Sequence, residues 1–406
     1  MSGSLRDRIA IVGMGCTKFG ENWDASADDM VIDAAHGALA SVDGLTKSDI
    51  QAFWFSTLAS YHSGLPLAKA LKVEAPVTRV ENFCASGSEA FRNAAFAVAA
   101  GVYDVAMAVG VEKLKDSGFS GLTLAEAPGD NTAAEVSNPA AYAMLPDAYA
   151  QHYGVDRGQL RDALTHIAWK NHSNGALNEL AQYTSVVPKE KIDKAPRVAG
   201  ELSVFDCSGV ADGAAAAIIV RAEDAYKYTD RPMFLKGMSL HAGSSEGMAT
   251  AGHQHISFPE VIACAAEAYG QAGVTDPARQ ISMAEVHDCF TPTEMILMED
   301  LGFSRRGEAW KDVLSGRYDL TGELPVNPDG GLKSFGHPVG ASGLRMMYEL
   351  WLQFRGEAGR RQLDNPRLGL AHNMGGLPGE FISFISIFGA TLDDEPAAST
   401  PAGASR

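Results

Sequence analysis

The chain is poor in cysteine: five in 406 residues, at 16, 84, 207, 264 and 289. The set is odd and scattered, and no two have Cys-x-x-Cys spacing. That argues against a disulfide framework and a structural zinc site, and predicts free thiols in a reducing compartment with no metal bound. Positive charge is scarce too: 33 Lys and Arg stand against 50 Asp and Glu, a net charge of −17. Such a surface repels nucleic acid and anionic membranes. It still allows a phosphorylated small ligand, which needs only a local cationic pocket. No apolar run reaches eighteen residues, and Met1-Ser-Gly-Ser-Leu-Arg-Asp-Arg8 has no apolar signal core. A cytoplasmic location and no membrane span are therefore expected.

What is plentiful is glycine, with 42 residues placed at junctions rather than in a repeat. The opening stretch alternates strand and helix: strands over 8–13, 51–56, 77–82 and 104–110, with helices over 26–40 and from Cys84 to about Gly101. Ser26 is the expected N-cap of the first helix, with Asp28 and Asp29 in its first turn. This pattern predicts an α/β protein with a parallel sheet covered by helices. From about 112 to 196 the pattern breaks into an inserted subdomain. Residues 117–138 read as loop, 157–174 as a helix and 188–196 as a charged turn. Strands return at 211–220 and 233–240, then a helix at 258–269 and a strand at 283–287. Ser86-Gly87 precedes a helix reaching Gly101, and Ser342-Gly343 precedes one reaching Gly356. Each helix leads into an apolar strand, which is weak internal symmetry and suggests a duplicated βαβ-rich domain. The expected halves are 1–225, carrying the insert, and 226–390. The Ala-, Pro- and Ser-rich tail, 391–406, is expected to be disordered.

Four segments can carry chemistry. Cys84 lies at a strand-to-helix junction in Val80-Glu-Asn-Phe-Cys-Ala-Ser-Gly-Ser88, where helix N–H groups would lower a thiol pKa. Small neighbours would let a substrate approach the sulfur. In Gly336-His-Pro-Val-Gly-Ala-Ser-Gly343, Pro338 fixes the backbone beside His337, which could accept a thiol proton. In Glu285-Val-His-Asp-Cys-Phe290, His287 and Cys289 are two apart and would face one side of an extended strand. Its C-terminal end is where α/β sheets bind ligands. In Leu370-Ala-His-Asn-Met-Gly-Gly-Leu-Pro-Gly379, the backbone at Gly375 and Gly376 could bind an oxyanion before an edge strand over 381–388.

Together these segments resemble the thiolase superfamily, over Ile9 to Gly389. Asn82-Phe-Cys-Ala-Ser-Gly87 is similar to its nucleophile motif and Gly336-His-Pro-Val-Gly-Ala-Ser-Gly343 to its histidine motif. Asp206-Cys-Ser-Gly-Val-Ala-Asp-Gly213 and Thr165-His-Ile-Ala-Trp-Lys-Asn-His172 also look like family segments. Two departures stand out. Where many thiolases carry Asn-Glu-Ala-Phe, this chain has His287-Asp-Cys-Phe290; where they carry a late Cys-x-Gly, it has His372-Asn-Met-Gly375. That combination is similar to the sterol-carrier-protein-type branch and its bacterial and archaeal relatives.

The resemblance implies a five-layer α-β-α-β-α fold and a CoA-dependent acyltransferase acting on a 3-oxoacyl-CoA, with coenzyme A as co-substrate and no tightly bound cofactor. Cys84 would be acylated, His337 would take its proton, Cys289 would replace the late cysteine in acid/base work, and His287 would replace the asparagine. Linear, branched, steroidal and aromatic substrates all fit, benzoylsuccinyl-CoA among them. Alternative readings are a retro-aldolase on a CoA-thioester side chain or a non-catalytic lipid-binding or scaffold subunit. A homodimer is implied, with 105–110 a candidate contacting edge, and so is a small zinc-binding OB-fold partner. Lys113, Lys115, Lys170 and Lys191 could meet the CoA phosphates.

Overall fold

The computed structural model describes residues 4–116, 137–244 and 254–392. The expected loop, apart from its last two residues, lies outside these ranges, as does the tail from 393. Eleven strands occur among the described residues: β1 (Ile9–Cys16), β2 (Ala52–Ser56), β3 (Val77–Val80), β4 (Val105–Glu112), β5 (Arg197–Ala199), β6 (Leu202–Ser203), β7 (Gly213–Arg221), β8 (Met233–Ala242), β9 (Met283–Glu285), β10 (Leu368–Leu377) and β11 (Glu380–Gly389). β5 and β6 form a small ribbon in the insert; the other nine run in the order β3-β2-β4-β7-β1-β8-β11-β10-β9.

This array is two sheets in tandem, joined where Ala10 and Ile11 of β1 pair with Phe234 and Met233 of β8. Each half repeats one pattern. β1 is antiparallel to β7, β7 to β4, and β4 is parallel to β2. β8 is antiparallel to β11, β11 to β10, and β10 is parallel to β9. The counterpart of β3 is reduced to a parallel bridge between Ala284 and Val326. The internal symmetry seen in the sequence is therefore a repeat of the fold.

Period-two alternation builds the layers. Ala10 and Val12 of β1 face the helix Ala27–Ala40, while Ile9 and Ile11 join the larger core on the opposite face. Ser26 caps that first helix in a reciprocal box with Asp29. The helix Pro259–Ala272 covers the second sheet, against β8 and β11. Between the sheets the helices Ser86–Ala99 and Ser342–Arg355 pack on each other. Their first turns meet at two glycines: a Cβ on Gly87 would lie 3.1 Å from Leu344 N, and one on Gly343 would lie 2.5 Å from Ser88 N. The result is the five-layer duplicated α/β arrangement.

Several local expectations change. β11 is not an edge strand, because β8 and β10 pair with it on both sides. β4 is likewise interior, between β2 and β7, so the 105–110 edge does not exist; the free edge of the first half is β3. Pro188 starts a short helix, Lys189–Asp193, where a turn was expected; proline's fixed φ suits that start. The strand expected over 283–287 stops at Glu285, so alternation does not place His287 and Cys289. A tight turn does so, with Asp288 N donating to Val286 O at 2.9 Å.

Candidate active site

Cys84 sits in a compact turn ahead of the first central helix. That helix starts at Ser86, not at the cysteine. Ala85 N donates to Asn82 O at 3.0 Å and Ser86 N to Phe83 O at 3.1 Å. Phe83 adopts φ 49°, a left-handed backbone costing a bulky residue roughly 1–3 kcal/mol. The turn thereby presents the sulfur of Cys84 at the seam of the two halves. The thiol is not activated as the sequence predicted. Burial, with Glu112 nearby, pushes it up to about 12, outweighing backbone donation.

The loop carrying His337 is pinned by the first half. His337 N donates to Gly209 O at 2.9 Å, and Gly340 N to the buried Glu112 at 3.0 Å. Gly340 must lack a side chain, since a Cβ there would stand 2.7 Å from both Ser56 O and Val111 O. The Cys84 sulfur and one ring nitrogen each of His287 and His337 lie within 4.8 Å of one another. The two rings are edge to face, with centroids 5.4 Å apart.

Hydrogen bonds give these rings opposite roles. Ser342 Oγ donates to Pro338 O at 2.9 Å, so it accepts from His337 Nδ1 at 2.7 Å. His337 Nε2 then holds a lone pair, buried and without a hydrogen-bond partner among the described residues. At His287 the order reverses. Ser88 Oγ donates to Asn373 Oδ1 at 3.0 Å, leaving the Asn373 amide to donate to His287 Nδ1 at 3.1 Å. His287 therefore carries its proton on Nε2, as the network assigns it. One ring is a base and the other a donor. Only two of the three groups offer a lone pair, so the trio suits proton and acyl transfer better than metal ligation. Burial keeps both rings neutral: His337 falls to about 3, and His287 well below its ordinary value, with His337 adding to its depression.

Cys289 is buried, with Thr293 Oγ1 3.8 Å from its sulfur, and burial raises its thiol strongly. Its turn is held by Asp288, which accepts from Leu332 N at 2.6 Å, Lys333 N at 3.2 Å and Asn171 Nδ2 at 2.8 Å. Burial and Glu294 push Asp288 up to about 7. Beneath it, Arg345 bridges Glu285 and Asp329 at 2.6 Å each, anchoring the end of β9. On the far wall Gly375 meets the Cys84 turn: a Cβ on it would lie 2.8 Å from Cys84 N. Gly376 turns its carbonyl to the Tyr142 hydroxyl at 3.1 Å.

All four chemistry-bearing segments thus reach one seam. Sequence reading missed Tyr142, Asn373, Asp288 and Asn171. Asn373 had a signal, since it occupies the cysteine's place in Cys-x-Gly. Tyr142 had none. The lysine candidates are mostly spent: Lys170 is buried against Glu294 at 2.9 Å, Lys113 bridges Asp116 and Asp212, and Lys115 pairs with Glu21. Lys191 lies 6.0 Å over the Phe205 ring.

A duplicated five-layer fold with a thiol and two imidazoles at its seam defines a thiolase-type enzyme. The chain belongs to the thiolase family: residues 9–223 match the thiolase N-terminal domain and residues 242–387 the thiolase C-terminal domain-like model. It is similar to an acetyl-CoA acetyltransferase of Methanothermobacter thermautotrophicus, 36% identical over 391 residues, covering 92% of this chain and 98% of the relative. It is also similar to human sterol carrier protein 2, 30% identical and covering 91% of this chain and 70% of that protein. An Ltp2-ChsH2(DUF35) aldolase shares the fold, with TM-score 0.81 and 24% identity over 97% of this chain and 100% of that one. The chain is an acyltransferase of the thiolase type. No helix among the described residues is long and apolar enough to cross a membrane.

Proposed function

We propose that the protein cleaves, or in reverse forms, a 3-oxoacyl-CoA through an acyl group on Cys84. The observation that carries this reading is the clustering of the Cys84 sulfur with two ring nitrogens within 4.8 Å, one ring a base and the other a donor. Cys84 Sγ attacks the 3-oxo carbon as His337 Nε2 takes its proton. The resting pair is neutral, so proton and bond move together rather than from a preformed thiolate. The tetrahedral oxygen lies toward Cys84 N–H and the backbone beside Gly375 and Gly376. The C2–C3 bond breaks, its electron pair entering an enolate whose oxygen faces His287 Nε2–H and the protonated His337. Cys289 gives its proton to C2, and acetyl-CoA or its substituted analogue leaves. Cys289, now a thiolate, takes the proton of CoA-SH. The CoA sulfur attacks the acyl group, and Cys84 leaves and regains its proton from His337.

Coenzyme A is a co-substrate in this reading, and no cofactor stays bound. The aromatic wall of Tyr142, Phe290 and Phe381 beside Cys289 supports a bulky or aromatic acyl group, such as that of benzoylsuccinyl-CoA. A homodimer, a small zinc-binding OB-fold partner, a cytoplasmic location and the division into halves 1–225 and 226–390 with an insert at 112–196 belong to the same proposal. The test is intact mass after mixing with acetoacetyl-CoA or a larger 3-oxoacyl-CoA. An acyl adduct is expected on Cys84, and Cys84→Ala should lower turnover by several powers of ten. Carbon–carbon cleavage with no adduct would move the chain to the retro-aldolase class; near-normal turnover by Cys84→Ala would end the acyl-transfer reading.

A further inference from the structure

We propose that Asn171 is a positioning residue: its amide staples the buried carboxylates of Asp288 and Glu294 together and so fixes the turn that carries His287 and Cys289. The inference rests on the thiolase reading, which gives those two side chains their work. Asn171 lies on the helix Arg157–Gly175 of the insert and is fully buried, as is Asp288; Glu294 is 1% exposed. Asn171 Nδ2 donates to Asp288 Oδ2 at 2.8 Å and to Glu294 Oε2 at 2.7 Å. An amide nitrogen carries two protons, and both are used here. A flipped amide would set its oxygen against two carboxylate oxygens, which settles the assignment of nitrogen and oxygen.

The two carboxylates frame the turn from both ends. Asp288 is its middle residue, and its oxygens also accept from Leu332 N at 2.6 Å and Lys333 N at 3.2 Å. Glu294, on the helix Thr291–Asp300, accepts from Asn327 Nδ2 at 3.0 Å, and Asn327 Oδ1 accepts from Val286 N at 2.8 Å. Glu294 therefore reaches Val286 through Asn327 and Asp288 through Asn171. β9 stops at Glu285, so these side chains, rather than strand pairing, set the course of 286–288.

Two carboxylates this close repel when both are charged. The cations that face them are committed elsewhere or to one of the two. Lys170 Nζ binds Glu294 Oε1 at 2.9 Å and Val326 O at 2.7 Å. Arg345 is held by Glu285 and Asp329, and Lys333 directs its amine to Cys207 O at 2.9 Å. None of these three forms an ion pair with Asp288. The remaining titratable neighbour of Asp288 is the Cys289 thiol, which supplies no positive charge. Holding Asp288 beside Glu294 therefore falls to the Asn171 amide.

The test uses Asn171→Asp, which keeps the shape, and the gentler Asn171→Ser, whose one proton cannot serve two carboxylates. At low pH a protonated carboxyl stands in for a lost amide proton; as pH rises the charges repel and the turn shifts. Burial and Glu294 already push Asp288 up to about 7, so pH 6 to 9 spans the change. Relative to wild type, kcat of Asn171→Asp should fall about tenfold at pH 6 and about 100-fold at pH 9, with KM within about threefold. Asn171→Ser should lie between the two enzymes at each pH. The Tm of Asn171→Asp should drop further below wild type over the same range, because a carboxyl whose folded pKa is raised loses stability as pH climbs through it. A packing role alone predicts losses independent of pH and an Asp variant close to wild type. A kcat ratio that stays flat from pH 6 to 9 in both variants would overturn the proposal, even if Tm falls. Failure of the thiolase reading would look different: no acyl adduct on wild-type Cys84, with the Tm gap still widening.

Discussion

At the scale of single residues, hydrogen bonds divide the tautomers between two buried imidazoles. His337 keeps a bare Nε2 because Ser342 holds Nδ1–H; His287 presents Nε2–H because Asn373 occupies Nδ1. Asn373 should therefore matter as much as a side chain that touches substrate. Asn373→Ala would free His287 to shift its proton to Nδ1 and lose one oxyanion donor. The expected result is a fall in kcat of roughly 10²–10³ with KM little changed, read by steady-state kinetics. Equal losses in kcat and affinity would mean that Asn373 shapes the pocket instead. The sequence singled out Cys84, His287, Cys289 and His337 because their motifs are local. It did not reveal Tyr142, whose hydrogen bond to Gly376 spans 234 residues and comes from a stretch with no motif.

At the scale of elements, geometry comes from glycine contacts between the halves. The loop around His337 lies against the C-terminal ends of β2 and β4, where Ser56 Oγ and Glu112 hold Gly340 by its carbonyl and amide. Gly340→Ala would place a methyl against Ser56 O and Val111 O, neither of which can yield without moving a sheet strand. The protein should stay folded by circular dichroism yet lose at least about 10²-fold in kcat/KM, because a displacement near 1 Å is enough to spoil alignment. Wild-type kinetics would show that the loop relaxes freely. Strands and long helices were legible from periodicity and caps, as with Ser26 and Asp29. Strand neighbours were not: pairing on both sides of β4 and β11 depends on crossovers between distant segments.

At the scale of the whole molecule, the interior holds titratable groups far from their ordinary pKa. Burial lowers His372 to about 3. An unfolded chain protonates this histidine below about pH 6.5, while the folded one does not until near pH 3. Its contribution is complete above pH 6.5 and is lost as pH falls toward 3. The buried carboxyls of Asp288 and Asp300, pushed up to about 7, work in the opposite sense. A difference measurement separates them. His372→Asn should lower Tm at pH 7.5, and the gap to wild type should narrow as pH falls from 7 to 5. A gap constant across that range would show that His372 is not held neutral by the core.

The sequence by itself determined the thiolase class and the two-fold repetition, and it singled out the four side chains proposed to react. Each of these is written in short motifs or in periodicity, which depend on neighbours along the chain. Only the tertiary structure decided that burial pushes the Cys84 thiol up, which imidazole keeps a bare Nε2 and which carries its proton there, and that the insert supplies a hydroxyl to the Gly376 carbonyl. Those outcomes depend on burial and on hydrogen bonds between segments hundreds of residues apart. Solvent exclusion and long-range contact arise when the halves close on each other, and no local stretch of sequence encodes them.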